Sequence, residues 1–221
     1  MIDDKPKLSI FDTFKTKRTQ ITGEASRQRS IIKHLSDSTT SASKTRTSIS
    51  QKIAAENGIK WKNIYSGVFR DLDEILIPLG IVEEEGRLPL KRGPKALQQN
   101  GMPFYHLTDK GLLVALSLDE VQNRDKILDQ IISKSGNEEK ENFIIIQKLI
   151  LIAPTFGYSF FKRYIKSFCN GEIPDLLPFT ISNLKESADN STKIQIEFLE
   201  GFSRLQKTER EITINFLKKI E

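Results

Sequence analysis

A chain of 221 residues, 38% hydrophobic and 29% charged, carries enough apolar material for a folded core and is not compositionally disordered. Its longest apolar run, Phe143 to Ala153, is interrupted by Gln147 and Lys148 and stops at Pro154, short of the roughly 20 residues that span a bilayer. Net charge is +5, yet Met1 to Leu118 holds 19 Lys and Arg against 13 Asp and Glu (+6) and Asp119 to Glu221 holds 15 against 16 (−1), a bias that points to nucleic acid, because neutralised phosphates release counterions, or more blandly to a solubilising surface.

The apolar run reads as a buried helix. With no basic start and apolar segment at the N-terminus, no secretory signal is expected, and the lone Cys169 fits a reducing compartment as a half-buried thiol. The expectation is therefore a cytoplasmic, nucleoid-associated protein without membrane contact.

Residues 1–23 show no sustained period and read as a mobile or loosely docked arm. From Glu24 to Leu35, Ala25, Ile31, Ile32 and Leu35 fall on one side of a helix whose other face carries Arg27, Gln28, Arg29 and Lys33. Residues 36–47 are small or hydroxylic and predict a loop. Thr47 or Ser48 then caps a short helix, with Gln51 completing a capping box, and Asn57 and Gly58 end it.

Apolar residues at 61, 64, 65, 68, 69, 72, 75, 76 and 79 predict an amphipathic helix of about five turns from Trp61 to Leu79. Pro78 and Gly80 close it, and Ile81 and Val82 begin a strand. Glu83 to Pro103 is rich in Gly, Pro and basic residues and reads as a long basic hairpin returning through the strand Phe104 to Leu107. Thr108 caps a helix from Asp109 to about Leu118. Beyond Asp119 every segment reads as helix, at 121–134, 138–153, 156–169, 175–187 and 192–220, the last with a seam of Phe198, Phe202, Leu205, Ile212 and Phe216 interrupted by Glu209.

"SISQKIAAENGI" (48–59), "KWKNIYSGVFRDLDEILIPLGIVEEE" (60–85) and "FYHLTDKG" (104–111) follow one another in an order that resembles the second helix and turn, the recognition helix and the second wing strand of a winged helix-turn-helix domain of prokaryotic, especially archaeal, transcription regulators. The resemblance covers residues 24–118; its loop at 36–47 and its hairpin at 83–103 are longer than the compact form. It implies a mainly α fold with a small β-hairpin wing, followed by an all-α C-terminal region at 119–221 for dimerisation, effector or partner binding.

A recognition helix enters the major groove by its N-terminal part. The face away from Trp61, Ile64, Val68 and Leu72 carries Lys60, Lys62, Asn63, Ser66 and Arg70, of which Asn63 and Arg70 have the forked donors that suit adenine and guanine edges. Asp71, Asp73 and Glu74 read as a solvated face where the helix leaves the duplex. The wing offers Arg87, Lys91, Arg92 and Lys95 to phosphates or a minor groove, and Arg46, Thr47 and Ser48 offer charge, hydroxyls and backbone N–H groups to a phosphate.

No metal, cofactor or catalytic constellation is expected: His34 and His106 lie on different elements, and no phosphate-binding Gly motif occurs. The sequence thus points to a homodimeric, double-stranded-DNA-binding transcription regulator rather than an enzyme. Its alternatives are a non-specific architectural binder and a protein-docking winged helix. Phe156, Tyr158, Phe160, Phe161 and Tyr164 are candidates for an effector cavity or, more plainly, core.

Overall fold

The computed structural model describes residues 6–89 and 100–220. Helix α1 (Gly23–Asp37) starts where the Thr22 hydroxyl accepts the Ala25 N–H, and buries Ala25, Gln28, Ile31, Ile32 and Leu35. A 3₁₀ turn (Ser41–Lys44) leads to α2 (Arg46–Glu56). The cap of α2 is Thr45, two or three residues earlier than expected: Thr45 is extended and accepts the Ser48 N–H, while the Ser48 hydroxyl donates to the Ala42 carbonyl at 2.8 Å. Gly58, at φ +64°, makes the left-handed turn into α3 (Trp61–Arg70).

The five-turn α-helix expected from Trp61 to Leu79 is not continuous. After Arg70 it widens into a π turn (Asp71–Leu76), with the Ile77 N–H bonded to the Leu72 carbonyl. The wider turn keeps Leu72 and Leu76 in the core and also carries Asp71 inside, so Asp71 is no solvated face.

Strands β1 (Val82–Leu88) and β2 (Met102–Leu107) form an antiparallel hairpin in which Val82 pairs with Leu107 and Glu84 with Tyr105, with a bulge between Glu84 and Gly86. The Thr108 hydroxyl both caps α4 (Asp109–Leu116) at Gly111 and donates to the Gly80 carbonyl at 2.5 Å, locking the helix to the strand entrance. The chain is mainly α with a small two-stranded hairpin among the described residues, as expected.

The remaining helices are α5 (Arg124–Lys134), α6 (Asn137–Ile152), α7 (Pro154–Cys169), α8 (Ile181–Glu186), α9 (Asn190–Arg204) and α10 (Lys207–Ile220). The core does not divide at Leu118. Helix α4, buried from Gly111 to Leu116, packs on α1 and β2 and also on α5 and α7, so one apolar cluster runs from Leu8 to Phe179.

The arm is not loose either: Leu8 and Ile10 are fully buried, the Ser9 N–H donates to Gln28 Oε1 at 2.9 Å, and Thr13 bridges Ile21. Gln28, expected on the solvated face of α1, is buried because the arm covers it. Cys169 is fully rather than half buried, and burial pushes its thiol up to about 12.

The aromatic side chains of α7 do not share a cavity. Phe161 and Tyr164 join Phe143 and Phe179 in the core, with Phe143 and Phe179 stacked at 4.5 Å. Phe156 and Phe160 pack edge to face outside it, and Tyr158 lies under Arg124 and donates to Asp125. Helix α6 is buried on one face only, leaving Leu151 and Ile152 81% and 82% exposed. The helix expected at 175–187 shrinks to α8, and the long helix expected at 192–220 breaks into α9 and α10 where Leu205 turns extended. Among the described residues no helix is long and apolar enough to cross a membrane.

Gly111 shows how tightly the hairpin and α4 fit: a Cβ there would collide with the Ile81 carbonyl oxygen. Gly111→Ala is expected to lower unfolding free energy by ~1–3 kcal/mol, read by urea denaturation; an unchanged midpoint would show that α4 slides freely on the strand.

Candidate nucleic-acid interface

Helix α3 forms a ridge with a depression on either side. Its inner face is set by Val68, fully buried, and Ile64, partly buried against the core, which turns Lys60, Lys62, Asn63 and Ser66 outward. All four are exposed, and among the described residues none of their side chains makes an ion pair or hydrogen bond. The first turn of α3 has no side-chain cap, since the N-cap residue is Lys60; the Asn63 N–H donates to the Lys60 carbonyl at 2.9 Å, and the partial positive charge of the helix start faces outward without a side-chain acceptor.

The other expected cations are committed elsewhere. Arg46 pairs with Asp73 and lies over the rings of Phe69 (4.1 Å) and Tyr105 (5.2 Å), clamping α2 to the π turn and β2 instead of meeting solvent as a phosphate donor. Arg70, half exposed, reaches Glu24 at 3.3 Å and Asp71 at 3.8 Å, so its fork faces α1. Arg87 donates to Glu84 at 2.7 Å. Ser48 is occupied at the start of α2, whereas Thr47 keeps a partly exposed side chain. Lys91, Arg92 and Lys95 lie outside the described residues.

The hairpin base is lined with glutamates in contact with basic groups rather than with free cations. Glu83 meets His106 at 3.0 Å, Glu84 meets Arg87, and Glu85 meets Lys44 at 3.1 Å. His34 Nε2 lies 2.8 Å from the Ser43 carbonyl oxygen, where it ties α1 to the 3₁₀ turn.

Two features escape a one-dimensional reading. The first is the ion pair of Arg27 with Asp71, Nε to Oδ2 at 2.5 Å and a second guanidinium nitrogen to Oδ1 at 3.1 Å, joining α1 to the end of α3. Gly67 makes room for it, since a Cβ there would stand 2.9 Å from the guanidinium carbon of Arg27. The second is an aromatic stripe of rings in sequential contact, Trp61 with Tyr65 and Tyr65 with Phe69. Tyr65 and Phe69 of the stripe, with Met102, Pro103 and Tyr105, line a groove of about 360 Å³ whose rim includes Arg46, Thr47 and Arg87. A depression of about 360 Å³ on the other flank is lined by Arg27, Asn63, Ser66 and Arg70.

Burial pushes the Asp71 carboxyl above its ordinary 3.8, against the pull of the Arg27 hydrogen bond and charge; Asp73 is raised by burial in the same direction, against Arg46. An acid whose folded pKa is raised stabilises the fold fully below its unfolded pKa and loses that contribution as pH climbs through the folded value. Burial likewise pushes the Tyr105 hydroxyl up to about 12, so it stays neutral beside Arg46.

Comparison with protein-family models, curated proteins and solved structures found no match to this chain.

Removing one member of the Arg27–Asp71 pair strands the other in a mostly closed site. At neutral pH Arg27→Met, which leaves the buried Asp71 carboxylate without its partner, is expected to cost ~3 kcal/mol of stability, and adding Asp71→Leu to recover most of it. Asp71→Asn removes this carboxyl's loss of stability above pH 3.8. Guanidinium unfolding across pH 4–7 checks both, and a double variant no better than the single one would count against an electrostatic role.

Proposed function

We propose that this protein is a winged helix-turn-helix regulator of transcription that binds duplex DNA by laying the outward face of α3 in the major groove. The observation that carries the reading is the sorting of charge: Arg27, Arg46, Arg70 and Arg87 are paired with carboxylates, while Lys60, Lys62, Asn63 and Ser66 stand exposed without partners among the described residues on the first half of α3. The N-terminal part of a recognition helix is the part that meets base edges, and its uncapped first turn favours an anion there.

In this reading Lys60 and Lys62 take backbone phosphates, and Asn63 reads a base edge, its amide suiting adenine N6 and N7. Ser66 adds a hydroxyl to the same face. Thr47 and the exposed edge of Phe69 flank the duplex on the hairpin side, where an aromatic edge suits a thymine methyl group. The N-terminal excess of +6 supplies the long-range attraction. The reading carries with it an intracellular, nucleoid-associated protein.

Fluorescence anisotropy against random and selected duplexes at several salt concentrations tests this. Lys60→Ala and Lys62→Ala are each expected to reduce the slope of log affinity against log salt by about 1, and Asn63→Ala to cost ~1–3 kcal/mol at a single base pair of the selected site. Equal affinity for selected and random DNA would make the protein an architectural binder. Absence of binding at low salt would overturn the DNA reading and leave a protein-docking winged helix.

A further inference from the structure

Among the helices longer than two turns, α9 and α10 stand apart: none of their described side chains is buried, although both are rich in large apolar residues. Ile194 is 65% exposed, Ile212 68% and Phe216 60%. Ile194, Phe198 and Phe202 succeed one another at four-residue steps on α9, as do Ile212 and Phe216 on α10, so each helix carries a stripe and not scattered residues. Neither helix makes an extended contact with the body of the protein or with the other.

The joint between them is nevertheless built. Arg210 turns back along the chain, its Nε donating to the Leu205 carbonyl at 2.8 Å and its terminal nitrogen to that of Ser203 at 2.5 Å, with the guanidinium 6.0 Å from the Phe202 ring centre. The break is held by hydrogen bonds that cap the end of α9.

We propose that these two stripes form a self-association surface whose occupant is the same surface of a second copy of this chain, with the two α10 helices antiparallel. Area is the first argument. At ~200 Å² for a fully open large side chain, the exposed apolar residues of α9 and α10 leave roughly 800 Å² uncovered, which is about what each partner contributes to a standard stable interface and more than a monomer ordinarily leaves in water.

Charge is the second argument. Glu209 precedes Ile212 by three residues and Lys219 follows Phe216 by three, so the two charges border one stripe at opposite ends. An antiparallel pair sets Glu209 against Lys219 of the partner subunit, and by symmetry does so twice, whereas a parallel pair opposes like charges. Lys219 makes no ion pair among the described residues and is available for that contact.

The test is the mass of the full chain in solution without DNA, so its result is independent of whether the protein binds a duplex. Sedimentation or light scattering at micromolar concentration is expected to give twice the 25.2 kDa monomer mass. Ile212→Glu with Phe216→Glu, both at solvent-open positions, is expected to yield monomer with the thermal transition of the body unchanged. Lys219→Glu is expected to weaken association at least tenfold, and adding Glu209→Gln, which retains the N-terminal cap on the Gln206 N–H, to restore part of the loss. A monomer at every concentration, or a dimer untouched by the double glutamate variant, overturns the proposal; a dimer indifferent to Lys219→Glu overturns its antiparallel arrangement.

Discussion

The bidentate contact between Arg27 and Asp71 governs how the helices around α3 are set. A carboxylate with no solvent exposure is costly to charge, and it is held there by a guanidinium whose own access to water is small. The pair joins the middle of α1 to the point where α3 widens into its π turn, and the Gly67 gap lets the Arg27 side chain lie flat against α3. One residue pair further along, Arg46 joins the start of α2 to Asp73 and stacks on Phe69 and Tyr105. Two arginines thereby tie α1, α2 and β2 to the same turn, and the orientation of the exposed half of α3 follows from where that turn is anchored.

The elements with local signals were legible in the sequence: the Thr108 cap precedes its helix as a side-chain acceptor does, Asn57 and Gly58 sit where α2 ends, and Phe104 to Leu107 alternates as a strand does. The π turn was not, because apolar positions 72, 75, 76 and 79 fit an α period as well as a helix carrying one wider turn. The docking of the arm rests on Leu8 and Ile10, too short a pattern to register as a strand. The break after Arg204 has neither Gly nor Pro to mark it and depends on Arg210 folding back.

The outward positions of Lys60, Lys62, Asn63 and Ser66 follow from helical periodicity alone. Whether a cation is free does not, because it depends on which acid the fold brings to it: Asp73 lies 27 residues from Arg46 and Glu24 lies 46 from Arg70. A glycine inside an otherwise apolar helical run, Gly67, was the one sequence mark of the Arg27 site. The same logic accounts for the hairpin base, where three consecutive glutamates look repulsive in sequence, yet Glu84 pairs with Arg87, Glu85 with Lys44, and Glu83 lies beside His106.

The unbroken core has a consequence for how the chain is made. Leu8 lies under α1 and beside the end of α7, and the cluster that encloses it closes only with Phe179. A ribosome that has released residues up to Leu118 has exposed every helix and strand of the α3 region, but not the helices that cover the far side of α4. The apolar surface of α4 therefore waits, during synthesis, for some sixty further residues, a stretch that takes on the order of seconds to make. For that interval the far face of α4 is open apolar surface, the kind through which unfinished chains associate with their neighbours.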